Sequence, residues 1–457
     1  MRASLISLGL SALAGLTGLA AAVPVVDKRT TTLPTDDPFY SVPGNIASYA
    51  PGAIIQHRAP PAPIAAFGLD PVKLAATWQI QYRTTDNLGN ATATVLTVLV
   101  PKNAKFGKVL SYQVAEDAAS PNCAPSYALQ LASASGGLLG TILTQAEILL
   151  VEAALYQGWV VVLPDHEGPH AAYLANRLAG YATLDGIRAA LASNSITGIK
   201  STARVGMWGY SGGGIASSWA AALQAEYAPE LSGKLVGAAV GGIVPNISTV
   251  ITSIDRTAEA GIIATGIEGL ANQYPYIETL LQNHLLDEHK AKFAKVKTQC
   301  LTPNVIDFLF ADVSGMLDDP SLLTSPEIMS ILDENALLAA PAPPASIPLY
   351  IYKSLNDEIS PIADTDKLVK QYCAAGSNVH YLRDIVSNHG ALAVTGAPKA
   401  LAWLIDRLDG KAAASSCKTE TTITSLLDLS TISVLPGILL GALAALLGGG
   451  VGPAFFG

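Results

Sequence analysis

The chain has 457 residues, half of them hydrophobic (50%) and only 14% charged, with 27 Lys and Arg against 36 Asp and Glu for a net charge of −9. So few charges among so many apolar groups exclude an intrinsically disordered protein, and the acidic balance argues against a nucleic-acid partner because it repels the phosphate backbone. Length alone suggests two to three domain-sized units, although single α/β domains with insertions also reach this size.

At the N-terminus, Met1 and Arg2 give a weakly positive start, Leu5 to Leu19 an apolar stretch and Ala20-Ala21-Ala22 a small-residue cleavage site. That pattern reads as a secretory signal over residues 1–22, the apolar part being too short to span a membrane. Residues 23–39 follow as a leader, in which Lys28-Arg29 is either a dibasic processing site or two surface cations. Secretion agrees with the four cysteines, Cys123, Cys300, Cys373 and Cys417, which suggest two disulfides while leaving three connectivities open. Asn90-Ala91-Thr92 and Asn246-Ile247-Ser248 are glycosylation sequons.

Residues 30 to 73, rich in Pro, Ala and Gly, read as an extended arm wrapping the surface. Ala75 to Arg83 and Thr92 to Pro101 look like a strand pair, with Asn and Gly at the turn where φ > 0 is wanted. Val109 to Val114 is a further strand, ending in Ala115-Glu116-Asp117. Strand then alternates with helix. Glu147 to Gln157 is helical, closed by Gly158 as a left-handed cap. Trp159 to Pro164 is a continuous apolar run, as in a strand covered on both faces. Tyr181 to Ala192 is a helix, Arg204 to Trp208 a strand, Ile215 to Tyr227 a helix and Leu235 to Val244 a strand. This alternation means a mostly parallel sheet flanked by helices, an α/β fold with right-handed crossovers.

Residues 245 to 341 break the rhythm with several helices and Pro breaks, too long a stretch for a plain crossover. They read as an inserted helical subdomain between two parts of a core, 40–244 and 342–417. The pattern resumes with strands Ile347 to Lys353 and Asn378 to Leu382, separated by helix Ile362 to Ala374 and followed by helix Ala391 to Leu408. Residues 418–457 form a low-complexity apolar tail without a charge after Asp428. Pro436 and several glycines interrupt the run of about 20 apolar residues that a membrane span needs. A plain extension is the simpler reading of the tail, and a removable lipid-anchor signal the other.

The strongest chemical signal is Gly209-Tyr210-Ser211-Gly212-Gly213, which follows a strand and precedes a helix. A nucleophile elbow requires that context: the tight turn exposes the Ser oxygen, and glycines admit the neighbouring backbone. A serine nucleophile needs a histidine base and a carboxylate to orient it, in the chain order Ser, acid, His. Of seven histidines, His57, His166 and His170 precede Ser211, His284 and His289 fall in the insertion, and His380 alternates inside a strand. His389, in a loop before the last helix, is left as the base. Asp357 is the first carboxylate past strand Ile347 to Lys353, with Glu358 the close competitor and Asp384 too near His389. One oxyanion donor is expected from the Gly212 N–H, the other from Asp117 or a neighbour in the loop after the early strand.

These residues resemble the fungal secretory lipase family of α/β-hydrolases. The resemblance rests on Ser111-Tyr112-Gln113 with Glu116-Asp117, Asn122 to Tyr127, Gly158-Trp159, Pro164 to Pro169, Gly209 to Gly213, Asn356-Asp357 and Asn388-His389, and it covers about Tyr40 to Leu408. It implies an α/β-hydrolase fold, a Ser211–Asp357–His389 triad, an oxyanion hole of Asp117 and Gly212, and a lid built from the insertion. It also implies the pairing Cys123–Cys300 and Cys373–Cys417. The expected function is a secreted serine lipase that needs no metal or organic cofactor. The expected partners are a lipid or small ester at a lipid–water interface, met by a monomer. A deacetylase of an acetylated secondary metabolite is the rival within catalysis, and a catalytically silent surface protein the rival outside it.

Overall fold

The computed structural model describes residues 31–424 apart from 67–69, 132 and 134–139. The signal segment, the Lys28-Arg29 pair and residues 425–457 lie outside the described residues.

Ten strands make one sheet: β1 (Ile54–Arg58), β2 (Ala76–Thr85), β3 (Ala91–Val100), β4 (Lys108–Gln113), β5 (Val160–Pro164), β6 (Arg204–Tyr210), β7 (Leu235–Gly241), β8 (Leu349–Ser354), β9 (Val379–Asp384) and β10 (Lys418–Thr422). Their spatial order is β1-β2-β3-β5-β4-β6-β7-β8-β9-β10. β1, β2 and β3 pair antiparallel up to β5, and every pair from β5 onward is parallel. Helices cover both faces, so β5 and β8 are buried along their whole length and read as apolar runs apart from Lys353 and Ser354 at the end of β8.

On one face lie α1 (Ile148–Tyr156) and, near the end of the chain, the last long helix; on the other lie α2 (Asn176–Ala192) and α3 (Gly212–Tyr227). α2 begins earlier than its apolar spacing predicts. The reason is tertiary: its first N–H groups donate to Asn335 Oδ1 at 2.8 Å (from Asn176) and Asn87 Oδ1 at 2.7 Å (from Leu178), partners far away in sequence.

Between β7 and β8 the chain builds α4 (Ile247–Ile254), α5 (Gly261–Ala271), α6 (Pro275–His284), α7 (Asp287–Val296), α8 (Leu301–Asp307) and α9 (Pro326–Glu334). Pro275 and Pro326 open their helices, where the missing N–H costs nothing. Asn246, half-buried, caps α4 by accepting from Ser248 N–H at 3.1 Å, whereas Asn90 is exposed beside the hairpin turn.

Three expectations need correction. The arm over 30–73 contributes β1, an edge strand paired to β2. The helix expected over Ala391 to Leu408 is two, α11 (His389–Thr395) and α12 (Ala397–Leu408), after α10 (Ile362–Ala374). Pro398 has no N–H with which to continue the earlier helix, so it breaks at Gly396. Finally, the tail does not begin at 418: Lys418–Thr422 is β10, parallel to β9.

Disulfides join Cys123 to Cys300 and Cys373 to Cys417. The first ties the insertion to the segment following β4, and the second fastens the approach to β10 onto the end of α10.

Candidate active site

Ser211 stands alone between β6 and α3, with φ 51° and ψ −121°. An L-residue adopts that backbone only when its surroundings force it. They do so here through close approach: a Cβ on Gly209 would lie 2.2 Å from Gly213 O, and one on Gly213 would lie 1.9 Å from Gln113 O. Ser211 N–H donates to Gly241 O at 2.9 Å, which pins the turn to β7.

The sheet brings the expected partners to this serine. His389 Nε2 is 2.9 Å from Ser211 Oγ, and His389 Nδ1 is 2.8 Å from Asp357 Oδ2. His389 is the first residue of α11 rather than a loop residue, since Asn388 caps that helix through Ala391 N–H. The rival acids have other duties. Glu358 Oε2 accepts from the His389 backbone N–H at 2.7 Å, and Asp384 Oδ1 accepts from Ser387 N–H at 2.9 Å to shape the preceding turn. Tyr210 donates its hydroxyl to the His389 carbonyl.

Asp357 is densely bonded. Its Oδ1 accepts from Ile359 N–H at 3.0 Å and Ser360 N–H at 2.8 Å, and Lys353 Nζ lies 2.8 Å from its Oδ2. Burial opposes ionisation, but the hydrogen bonds and charges of His389 and Lys353 outweigh it and hold the carboxyl well below the usual carboxylate range. No sequence motif pointed to Lys353, although a lysine inside an apolar strand was a visible irregularity.

Across from the base, Asp117 sits at φ 44° in the loop after β4. Its Oδ1 would be 1.8 Å from a Cβ on Gly212, so the carboxyl lies directly over that glycine. Burial pushes Asp117 up to about 7, with His389 pulling the other way. Neighbouring acids hold this loop. Glu167 accepts from Ala118 N–H at 3.3 Å and is also stabilised by the Asp117 N–H, while His166 Nε2 donates to Val114 O at 2.9 Å. Glu147, raised to about 8 by burial, accepts from Ala115 N–H at 2.8 Å and from Tyr112 at 2.7 Å. Sequence reasoning passed over Glu147 and Glu167 as site residues; the latter lies in the Pro164 to Pro169 segment that carried the resemblance.

Two other histidines are paired with acids: His284 with Asp318 at 3.0 Å and His380 with Glu420 at 3.0 Å. Among the described residues no group of His, Cys, Asp and Glu is arranged to hold a metal ion.

From Ser211, Gly212 and Asp117 an apolar slot runs into the insertion, between Val250 and Ile254 of α4, Ile263 and Leu270 of α5 and Leu280 of α6. A family model described as secretory lipase matches residues 133–416. The chain belongs to the secretory lipase family. Lipase A of Arthroderma benhamiae is 48% identical over 423 residues, 92% of this chain and 89% of that protein. Lipase 5 of Candida albicans is 43% identical over 393 residues, 85% and 83% of the two chains. Among solved structures, Candida antarctica lipase A superposes with a TM-score of 0.80 at 30% identity, covering 93% of this secretory lipase and 99% of that chain. The rice cell wall degrading esterase LipA from Xanthomonas oryzae, at 19% identity and a TM-score of 0.58 over 80% of this chain and 100% of its own, shares the fold. The fold is therefore the α/β-hydrolase fold.

Proposed function

We propose that this secretory lipase hydrolyses long-acyl esters, triacylglycerols among them, through an acyl-enzyme formed on Ser211. The observation that carries the reading is the relay from Ser211 Oγ to His389 Nε2 at 2.9 Å and from His389 Nδ1 to Asp357 Oδ2 at 2.8 Å. Ser211 attacks the ester carbonyl while His389 takes its proton and Asp357 holds the imidazole in the right tautomer. His389 then returns the proton to the departing alcohol, and water repeats the sequence on the acyl-enzyme.

The oxyanion is met by Gly212 N–H at the start of α3 and by the Asp117 carboxyl O–H, which donates while that group is neutral. The side chain is assigned this duty because the Ala118 N–H is taken by Glu167, while Asp117 Oδ1, buried without a hydrogen-bond partner, lies over Gly212. Each such donor lowers the barrier by roughly 3 kcal/mol. The acyl chain enters the apolar slot, so residues 245–341 act as a lid over a core of 40–244 and 342–422. Each buried methylene gains about 0.8 kcal/mol there, which an acetyl group forgoes. The signal-like start supports export, Asn90 is the better exposed glycan acceptor, and a relay completed within one chain supports a monomer.

Hydrolysis of p-nitrophenyl acetate, octanoate and palmitate and of emulsified triolein, by wild type and Ser211→Ala, tests the reading. Octanoate, palmitate and triolein should be cleaved, with turnover falling about 10⁶-fold in the variant. Cleavage confined to acetate would make the protein a short-acyl deacetylase. A variant as active as wild type would remove Ser211 from the chemistry.

A further inference from the structure

Lys353 is the one charged residue of β8, and its side chain is fully buried. Taking an ammonium out of water is costly even after relaxation, so its position calls for a compensating role. Its ammonium has two partners. One is Asp357 Oδ2, at 2.8 Å, the same oxygen that receives His389 Nδ1 at 2.8 Å. The other is Ile243 O, at 2.9 Å, just past β7 where the chain leaves for the insertion.

We propose that Lys353 is a positioning residue that divides the Asp357 carboxylate between itself and His389, and thereby sets the pH below which the imidazole stops serving as base. This rests on the Ser211–His389–Asp357 reading given above. A carboxylate facing an imidazole stabilises the imidazolium and so favours proton uptake. The acidic groups around His389 are Asp357 beside the ring, Glu358 at its backbone N–H and Asp117 across the slot, with Tyr210 at its carbonyl. Those facing Lys353 are Asp357, Asp364 and Glu358. Against these carboxyls Lys353 is the countercharge at Asp357. With it in place the imidazole sees a partly neutralised acid and stays unprotonated further into the acid range. The hydrogen bond that orients the ring survives, because Oδ2 accepts from both groups. Its hold on Ile243 O adds a geometric part: the triad acid and the root of the insertion share one anchor.

The test is the pH profile of kcat/KM, whose acidic limb reports the free enzyme's base, for wild type, Lys353→Met and Lys353→Gln. The position of the limb does not depend on what fraction of the sample is folded. Lys353→Gln keeps a donor for Ile243 O if the methionine variant folds poorly. Both variants should carry the limb upward by about one pH unit. In an Asp357→Asn background, where no carboxylate charge remains to be divided, Lys353→Met should leave the limb where it was. A purely structural lysine would instead lower kcat/KM evenly at every pH. A limb unmoved in both single variants, or one that moves equally without the Asp357 charge, overturns the proposal. Ser211→Ala and His389→Ala run alongside. Their loss of activity with an unmoved limb rejects Lys353 alone, whereas full activity in those two rejects the triad reading beneath it.

Discussion

In the proposed mechanism Asp117 places a carboxyl where a growing negative charge needs a donor, and the two demands conflict once that carboxyl ionises. Burial shifts its acidity to about 7, so the conflict sets in near neutral pH. Below that value the group donates; above it the group repels the oxyanion. Asp117→Asn offers an N–H donor at every pH, so its ratio of kcat/KM at pH 9 to that at pH 6 should exceed the wild-type ratio several-fold. Equal ratios would deny the side chain any part in stabilising the oxyanion. At this scale the sequence disclosed the groups whose order along the chain is constrained. Ser211 came from its glycines, and His389 was the histidine left after an acid-bearing strand. Asp357 could only be preferred over Glu358, because which carboxyl meets the ring depends on how the chain turns after β8. In the structure Ile359 and Ser360 N–H groups both clasp Asp357, which settles its direction. Lys353 and Glu167 act on groups brought close by the sheet alone, and no local pattern marks that.

Elements buried on both faces were legible and elements held by distant partners were not. β5 announced itself as five apolar residues, whereas α2 owes its first turn to Asn335 and Asn87. β10 was missed because Lys418–Thr422 is polar and alternates weakly; its pairing to β9 and the Cys373–Cys417 bond make it a strand. The two disulfides should differ in weight. They join residues 177 and 44 apart in sequence. Loop-closure entropy grows by about 0.6 kcal/mol per doubling, so two doublings favour the longer closure by about 1.2 kcal/mol. Cys123→Ser with Cys300→Ser should therefore lower the free energy of unfolding more than Cys373→Ser with Cys417→Ser, each read with its own m because the opened unfolded chain exposes more surface. The reverse order would mean that the edge strand, rather than the insertion, depends most on its staple.

For the molecule as a whole, the acids packed around the site govern how stability follows pH. Burial raises Glu116, Asp117, Glu147, Asp165 and Glu167, with about 7 for Asp117 and Asp165 and about 8 for Glu147. The native state thus binds protons that the unfolded chain, with carboxyls near about 4, has already released. Stability from these groups is complete below about pH 4 and is lost as pH rises toward about 8, at up to about 1.4 kcal/mol per unit and group. Asp357 works in the opposite sense, its contribution vanishing only in stronger acid. The melting temperature should accordingly fall between pH 5 and pH 8, as calorimetry at constant ionic strength would reveal. A rise over that interval would contradict the shared assignment of buried, neutral carboxyls.

Because β6, β8, β9 and β10 all run the same way, the turns bearing Ser211, Asp357 and His389 open on the edge where β10 also ends, with Asp384 and Thr422 side by side in register. Thr424, where the described chain ends, consequently lies near the rim at which the proposed reaction would meet its substrate. A tether fused there would face the proposed catalytic mouth toward its support, while one grafted at the exposed loop between β3 and β4, on the opposite edge of the sheet, would spare it. Immobilised forms made the two ways should differ in access for an emulsion droplet far more than for a soluble ester.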